Sequence, residues 1–342
     1  MLGWEKLPMQ VYHLTNRSGC RASFLALGGI VTAVEVPDRQ GRLANVVLGY
    51  KNLEAYRSQR IYLGCITGRY ANRIANARFT LDGTEYVLAA TDGTSCVHGG
   101  RYGFDTANWT VVQEDSATAR LSHVSPDGDE GFPGTLEVTV RYRLTDENAF
   151  EISYAAKTDR PTIVNLTNHS YFNLAGEGSG DILEHQLQIQ AADYTPADGM
   201  LIPTGEIAPV EGTPFDFRTA RRIGDRIRAP HPQMIAGKGY DLNYVIDRKT
   251  PGMVHAATLF DPASGRSMKV ETTEPGLQLY TGNLLDSTVE GPAGALYRQS
   301  DGVCLETHHY PNSPNTPQFP TTVLRPSELY STRTTYRFGV KN

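Results

Sequence analysis

Ile163-Val164-Asn165-Leu166-Thr167-Asn168-His169-Ser170-Tyr171-Phe172-Asn173-Leu174 decides how this chain is read. Taken with the two-residue period of a strand, Asn165, Thr167, His169, Tyr171 and Asn173 point one way. Val164, Leu166, Phe172 and Leu174 point the other, interrupted by Asn168 and Ser170. A wet strand face ordinarily carries Lys, Glu or Thr. Here it carries amides, an imidazole and a phenol, which hydrogen-bond in fixed directions without full charge. That suits a site gripping a neutral polyhydroxylated ligand. The plainer reading is a strand whose polar side chains satisfy loop backbone.

Short segments of the same kind fill the chain on either side. Residues 8–36 read as an opening hairpin, with Val11–Leu14 as one strand and two more broken at Gly28-Gly29. Asn45–Leu48 reads as a short strand, and Asp82-Gly83 is a hairpin turn between 77–81 and 84–88. Residues 108–114, 117–124, 134–144 and 149–157 alternate like antiparallel strands. Further strands are expected at 184–191, 205–210, 242–246, 254–260, 267–273, 277–281, 302–307 and 334–340. Helical periodicity is confined to Thr219–Ile227 and a turn at Leu53–Arg57. So many short strands, with so little helix to cross between parallel ones, predict an all-β fold, a large antiparallel β-sandwich. There is no low-complexity linker and no repeat of fixed period, so 1–342 is read as a single domain.

Composition narrows the function. Charged residues make up 20% and hydrophobic ones 39%, enough for a sizeable core. A net charge of −5 with no basic block argues against nucleic acid as a partner. No run approaches the ~20 apolar residues of a membrane span, and Met1–Arg17 lacks an apolar signal core. A cytoplasmic protein, a monomer or weak homodimer, is expected. Cys20, Cys65, Cys96 and Cys304 form no C-x-x-C and read as reduced, buried thiols. His98-Gly99-Gly100 has no G-x-S-x-G serine to serve, and there is no Walker loop or dinucleotide fingerprint. His308-His309 are neighbours on a strand and face apart, so no metal site is expected there.

Chemistry-bearing groups recur inside core-like strands. In Gly302–Tyr310, Cys304, Glu306, His308 and Tyr310 share one face, and Val303, Leu305 and Thr307 the other. A carboxylate in such a strand needs a partner, because a lone buried charge is costly. An arginine is the ordinary one; a catalytic cleft is the other. Asn72-Arg73, His98 and His169 are further candidates, although each histidine taken singly reads as structural. Gln278 and Tyr280 share a strand face, and Asp241 sits at a strand start.

Together these segments resemble the aldose 1-epimerase (galactose mutarotase) family. The resemblance rests on Gly68–Ala75, His98-Gly99-Gly100 with Gly103-Phe104, Asn165–Leu174, Pro203–Ile207, Gly212–Phe217, Thr272–Asn283 and Cys304-Leu305-Glu306, in family order. It implies a large β-sandwich with an open sugar cleft. It implies Glu306 as general base, His169 as general acid, and Arg73, His98, Asp241 and Gln278 as sugar-holding groups, with Asn72 and Tyr171 lining the cleft. Two departures stand out. Leu242 follows Asp241 where the family usually has His, and His308 follows Thr307 where it usually has Gln.

Anomer exchange needs a base at the anomeric hydroxyl and an acid at the ring oxygen; no cofactor is called for. A working pair at neutral pH would want Glu306 ionised and His169 partly protonated. The rival enzyme is a glycoside hydrolase using Glu306 and Asp241. A non-catalytic sugar-binding or regulatory module is the second alternative. A sugar-phosphate enzyme would need cations such as Arg221, Arg222 and Arg226 in the cleft.

Overall fold

The computed structural model describes residues 9–341. Residues 1–8 and 342, which include part of the stretch read for a signal core and the first residue of the predicted opening hairpin, lie outside the described residues.

The largest element is a nine-stranded antiparallel sheet. Its spatial order is Thr110–Asp115, Thr118–Ser125, Leu136–Leu144, Ala149–Thr158, Tyr330–Val340, Arg266–Thr272, Val254–Phe260, Gln186–Ile189 and Arg221–Arg222. A second sheet runs Ala208–Pro209, Asp193–Thr195, Asp241–Val245, Gly276–Tyr280 and Cys304–His308. A four-stranded sheet forms the opening, Val11–Thr15, Arg21–Leu25, Val31–Pro37 and Leu43–Asn45. All ladders between strands are antiparallel among the described residues; an isolated Tyr70–Asn165 bridge is parallel. The hairpin at Asp82-Gly83 forms as read, with both residues at positive φ, as its turn type requires.

The first two sheets share one core. Leu242, Leu279 and Leu305, mutually paired across three strands, cluster with Met268, Val270, Tyr336 and Phe338 of the nine-stranded sheet. The Tyr336 hydroxyl donates to the Leu305 carbonyl at 3.1 Å, and the hydroxyls of Thr307 and Thr334 are hydrogen-bonded. Alternation then forces the opposite face of the second sheet to carry Asp241, Asn243, Gln278, Tyr280, Cys304, Glu306 and His308. This is what places the site. Leu242, the first departure from the family pattern, lies on the core side, where a hydrophobe packs without touching the cleft.

The 163–174 stretch corrects its sequence reading. It is not one strand but an extended segment with two-residue ladders at Thr162–Ile163 and Thr167–Asn168. Its backbone changes partner every few residues, from Thr322 to Arg69, to Thr67 and Ile66, to Cys65 and Gly64, and then to Val46, Leu48 and Val303. The amides make this possible. Asn165 donates to Ala71 and His309 carbonyls, Asn168 to Gly64, and Asn173 to Gly180 and Asp301. Both faces are buried, so the polar row is internal rather than wet.

Three smaller corrections follow from local packing. Thr219–Ile227 is not a helix: Arg221–Arg222 edges the large sheet and Ile223–Asp225 is a 3₁₀ turn. Arg222 is held by Glu184 and Asp225, and a Cβ on Gly224 would sit 3.0 Å from Leu183. The strand expected at 45–48 ends at Asn45, beyond which Val47 makes only an isolated bridge, and that at 205–210 shrinks to Ala208–Pro209. A six-residue helix, Pro232–Gly237, is too short to have shown periodicity. All four cysteines are free and buried, as read.

Close approach at one glycine sets a local constraint. Gly99 has φ +89°, and a Cβ there would lie 1.9 Å from the Gly68 carbonyl oxygen. Gly83 has φ +81° with open space around it. Gly83→Ala should cost about 1–2 kcal/mol through backbone conformation alone. Gly99→Ala should cost about 3 kcal/mol or more. Urea unfolding with unchanged m values tests the contrast.

Candidate active site

A cavity of about 340 Å³ opens on the polar face of the second sheet. Its size falls at the small-ligand end of the usual ~300–1,000 Å³ range. Glu306, His169, Arg73, His98, Asp241, Gln278, Asn72 and Tyr171 all line it. Chain positions from 72 to 306 are thus brought to one place. Of the five face-mates in the 163–174 stretch, only His169 and Tyr171 reach the cavity; Asn165 and Asn173 serve the backbone. The backbone-satisfying reading therefore holds for Asn165 and Asn173, while His169 and Tyr171 face the cavity.

Three strands set the floor. Cross-strand register places Asn243, Gln278 and Glu306 in one row and Asp241, Tyr280 and Cys304 in the next. Gln278 Nε2 donates to Asp241 Oδ1 at 2.5 Å. Arg73 bridges Asp241 Oδ2 (3.8 Å) and Asp92 Oδ2 (3.2 Å). Asp241 is thereby occupied by two partners. The oxygen Gln278 Oε1 and the carboxyl oxygen Glu306 Oε2 are buried with no partner among the described residues. Arg221, Arg222 and Arg226 do not line the cavity, so the cation cluster that a phosphate would need is not built from them.

Two loops bring the histidines in. Asn72 (φ +63°) and His98 (φ +51°) both occupy the left-handed region, which non-glycine residues rarely adopt. They are locked together: the His98 amide donates to the Asn72 carbonyl (3.1 Å), and the Asn72 amide to His98 Nδ1 (3.2 Å). Nδ1 is thus the acceptor, which puts the proton of neutral His98 on Nε2. His169 is pinned by its amide to the Cys65 carbonyl (2.9 Å) and by the Gly64 amide to its own carbonyl (3.0 Å). Its Nδ1 lies 3.6 Å from Cys304 Sγ, and its Nε2 lies 3.6 Å from Glu306 Oε1. The Tyr171 ring stacks on the imidazole, with centroids 5.0 Å apart.

Glu306 thus faces an imidazole and, among the described residues, forms no arginine ion pair. Its carboxyl is pushed well above the usual range, by burial first and by Asp241 second, with Arg73 opposing. Burial takes His169 down to about 4. His98 is held well below the usual imidazole range, by burial first, then by His169 and Arg73. The shifts of Glu306 and His169 run against the ionised Glu306 and partly charged His169 that a working pair would want. Desolvation favours the neutral form of each.

One nitrogen or oxygen each from His98, His169 and Glu306 lies within 4.8 Å of the others, as a cation would need. The His98 tautomer opposes that use, since the nitrogen beside Asn72 is already an acceptor and the other carries the proton. Metal binding would break the Asn72 contact.

Sequence reading missed Tyr62, Arg60, Ile61, Thr91, Asp92 and Leu284, which also line the cavity. Tyr62 stands six residues before Gly68, the start of the first motif of the family pattern, and its positive φ (+63°) leaves no trace in sequence. His308, the second departure, is fully buried on the same strand face as Glu306 but does not line the cavity. Its Nδ1 donates to the His309 carbonyl at 2.5 Å, and its Nε2 has no partner among the described residues.

Fold and cavity define a class: an antiparallel β-sandwich whose sheet face carries Glu306, Gln278 and Asp241 into a small cleft shared with His169. A model of the aldose 1-epimerase family matches residues 10–337, and the chain belongs to this family. It is 45% identical over 320 residues to galactose mutarotase of Sus scrofa, covering 94% of this chain and 91% of that protein. It is 40% identical over 333 residues to aldose 1-epimerase of Escherichia coli K12, covering 97% and 95%. Among solved structures, an aldose epimerase homologue from C. elegans superposes with a TM-score of 0.89 at 28% identity, over 98% of this chain and all of that one. Galactose 1-epimerase from Lactobacillus acidophilus gives 0.85 at 28% identity, with the same coverage.

Buried neutral imidazoles make stability depend on pH. Burial holds His308 down to about 4, below the ~6.5 of an unfolded histidine. As pH falls below ~6.5 the unfolded chain takes up this proton first, so the stability contribution is lost towards about pH 4. His308→Gln should therefore gain stability relative to wild type on acidification, with a limiting slope of about 1.4 kcal/mol per pH unit. Urea unfolding of both proteins at pH 7.0, 6.0 and 5.0 measures the difference.

Proposed function

We propose that the cleft interconverts the α and β anomers of free aldohexoses, glucose or galactose, with Glu306 as general base and His169 as general acid. The observation that supports this most is the Glu306–His169 pair, 3.6 Å apart at the bottom of one cavity. The names of the relatives support the substrate class.

Glu306 takes the proton of the anomeric hydroxyl, and its electron pair forms the aldehyde. The bond from the anomeric carbon to the ring oxygen breaks, and His169 gives that oxygen a proton. The open chain turns about the bond to the next carbon. On closing, the hydroxyl attacks the other aldehyde face, His169 recovers its proton, and Glu306 returns the one it took. Both reacting oxygens hang on one carbon, so an acid and a base set this close can serve both. Only one proton resides on the pair throughout. Its position on Glu306, which burial favours, corresponds to the open-chain half of the cycle.

Arg73 and the Nε2–H of His98 supply donors, and Gln278 Oε1 and Asp241 supply acceptors, for the remaining hydroxyls. Asp241 holds its place through Gln278 and Arg73. This use of Asp241 in binding, rather than as a second catalytic carboxyl, sets the reading apart from glycoside hydrolysis. We further propose that 1–342 acts as one cytoplasmic domain, as a monomer or weak homodimer. The core cluster running from Leu14 to Phe338 supports the single unit. Among the described residues no helix is long and apolar enough to cross a membrane.

Glu306→Gln and His169→Asn should each reduce kcat by about 10²–10⁴, with far-UV circular dichroism unchanged. Polarimetry on freshly dissolved α-galactose measures it; wild-type rates in either variant would discard the role assignment. In wild type, kcat/KM should fall below about pH 4, where His169 also gains a proton and the base is lost. It should fall again above the ordinary carboxylate range, where Glu306 gives up the proton that the pair requires.

A further inference from the structure

Residues 59–63 form a short strap along one wall of the cavity, fixed from three directions. The Tyr50 hydroxyl donates to the Gln59 carbonyl (3.0 Å), and the Tyr171 hydroxyl to the Ile61 carbonyl (3.0 Å). Arg60 makes a two-pronged ion pair with the buried carboxylate of Asp105, at 2.6 and 2.8 Å. It also donates to the Gly100 and Arg101 carbonyls, so the strap is tied to the loop that follows His98.

Tyr62 sits at the centre of this strap in the left-handed region, at φ +63°. A bulky residue pays strain there, and the surrounding contacts must over-determine it. The ring is gripped on several sides. The Arg60 guanidinium carbon lies 5.0 Å from its centroid. The His98 ring centroid is 4.6 Å away. The His169 ring is 5.9 Å away, at an interplanar angle of 25°. Tyr62 therefore touches both imidazoles, and Arg60 and Asp105 hold Tyr62. No hydrogen bond is formed by its hydroxyl among the described residues, so the ring itself makes these contacts.

We propose that Tyr62 is a positioning residue: its ring, clamped by the Arg60–Asp105 pair, holds the His98 and His169 imidazoles in the rotamers that face the sugar. It acts through the histidines rather than on the reacting atoms. Misplacing an acid by about an ångström is enough to lose most of its effect. The inference rests on the acid–base reading above for its kinetic consequences, but not for its structural ones.

The test uses Tyr62→Ala, Tyr62→Phe and the pair Arg60→Met with Asp105→Asn, which removes both charges and leaves no lone buried carboxylate. Polarimetry should show kcat of Tyr62→Ala reduced about tenfold to a hundredfold. Tyr62→Phe, which keeps the ring, should restore both kcat and KM to within about threefold of wild type. The charge-pair variant should lie between, and combining it with Tyr62→Ala should add nothing, as coupled sites do. Nitrogen-15 NMR of histidine-labelled protein reads the clamp without activity. Wild type and Tyr62→Phe should show His98 as one tautomer protonated on Nε2, and Tyr62→Ala a mixture.

Wild-type kcat in Tyr62→Ala, an equal loss in Tyr62→Phe, or additive losses in the combined variant would overturn the proposal. So would an unchanged His98 tautomer in Tyr62→Ala. A wild-type protein that does not speed mutarotation would count against the acid–base reading alone. The tautomer result would still decide the role of Tyr62.

Discussion

Burial of Glu306 opposite an imidazole is the constraint on which the rest of the structure depends. A carboxyl group taken out of water ordinarily acquires an arginine or gives up its charge. Here the facing group is His169, and both groups are pushed towards neutrality. Buried polar groups of this kind oppose filling of the cleft by hydrophobes. Glu306 Oε2 and Gln278 Oε1 are likewise buried and, among the described residues, meet no hydrogen-bond partner.

Everything around the pair keeps it in that state. The nine-stranded sheet covers the back of the Asp241, Gln278 and Glu306 strands through Leu242, Leu279 and Leu305. Their alternation fixes which side chains face the cleft, and a one-residue slip would exchange leucines for acids. On the other side, the 163–174 segment threads between partners and delivers His169 from a backbone held at both its N–H and C=O. Three cavity-lining residues, Tyr62, Asn72 and His98, sit at positive φ. Backbone strain is thus concentrated around the imidazoles, where placement matters most.

Much of this was legible in the sequence, for physical reasons. Period-two alternation in Cys304–His308 already separated Glu306 and His308 from Leu305 and Thr307, because burial on one side and polarity on the other leave a regular trace. Strong turns such as Asp82-Gly83 fixed register locally. The family motifs then gathered all eight proposed site residues, and all eight line one cavity. What stayed hidden has equally definite causes. The 163–174 stretch alternates like a strand, yet its amides satisfy backbone and free it to change partners. The helix at Pro232–Gly237 is shorter than the window in which periodicity shows. Arg221 and Arg222 read as helical until their pairing with Gln186 and Leu187 is seen. The pull of both groups towards neutrality left no trace because desolvation depends on neighbours from distant chain positions. Tyr62 acts through φ and ring contacts, neither of which a sequence displays.

The central claim is geometric: a monosaccharide binds with its anomeric centre between Glu306 and His169. A crystal structure of Glu306→Gln with galactose tests it most directly. The account predicts the ring oxygen within hydrogen-bond reach of His169 Nε2 and the anomeric hydroxyl beside residue 306, with Arg73 and His98 on the remaining hydroxyls. A sugar bound in this cleft with its anomeric carbon turned towards Asp241 and Asp92, away from both groups, would contradict it.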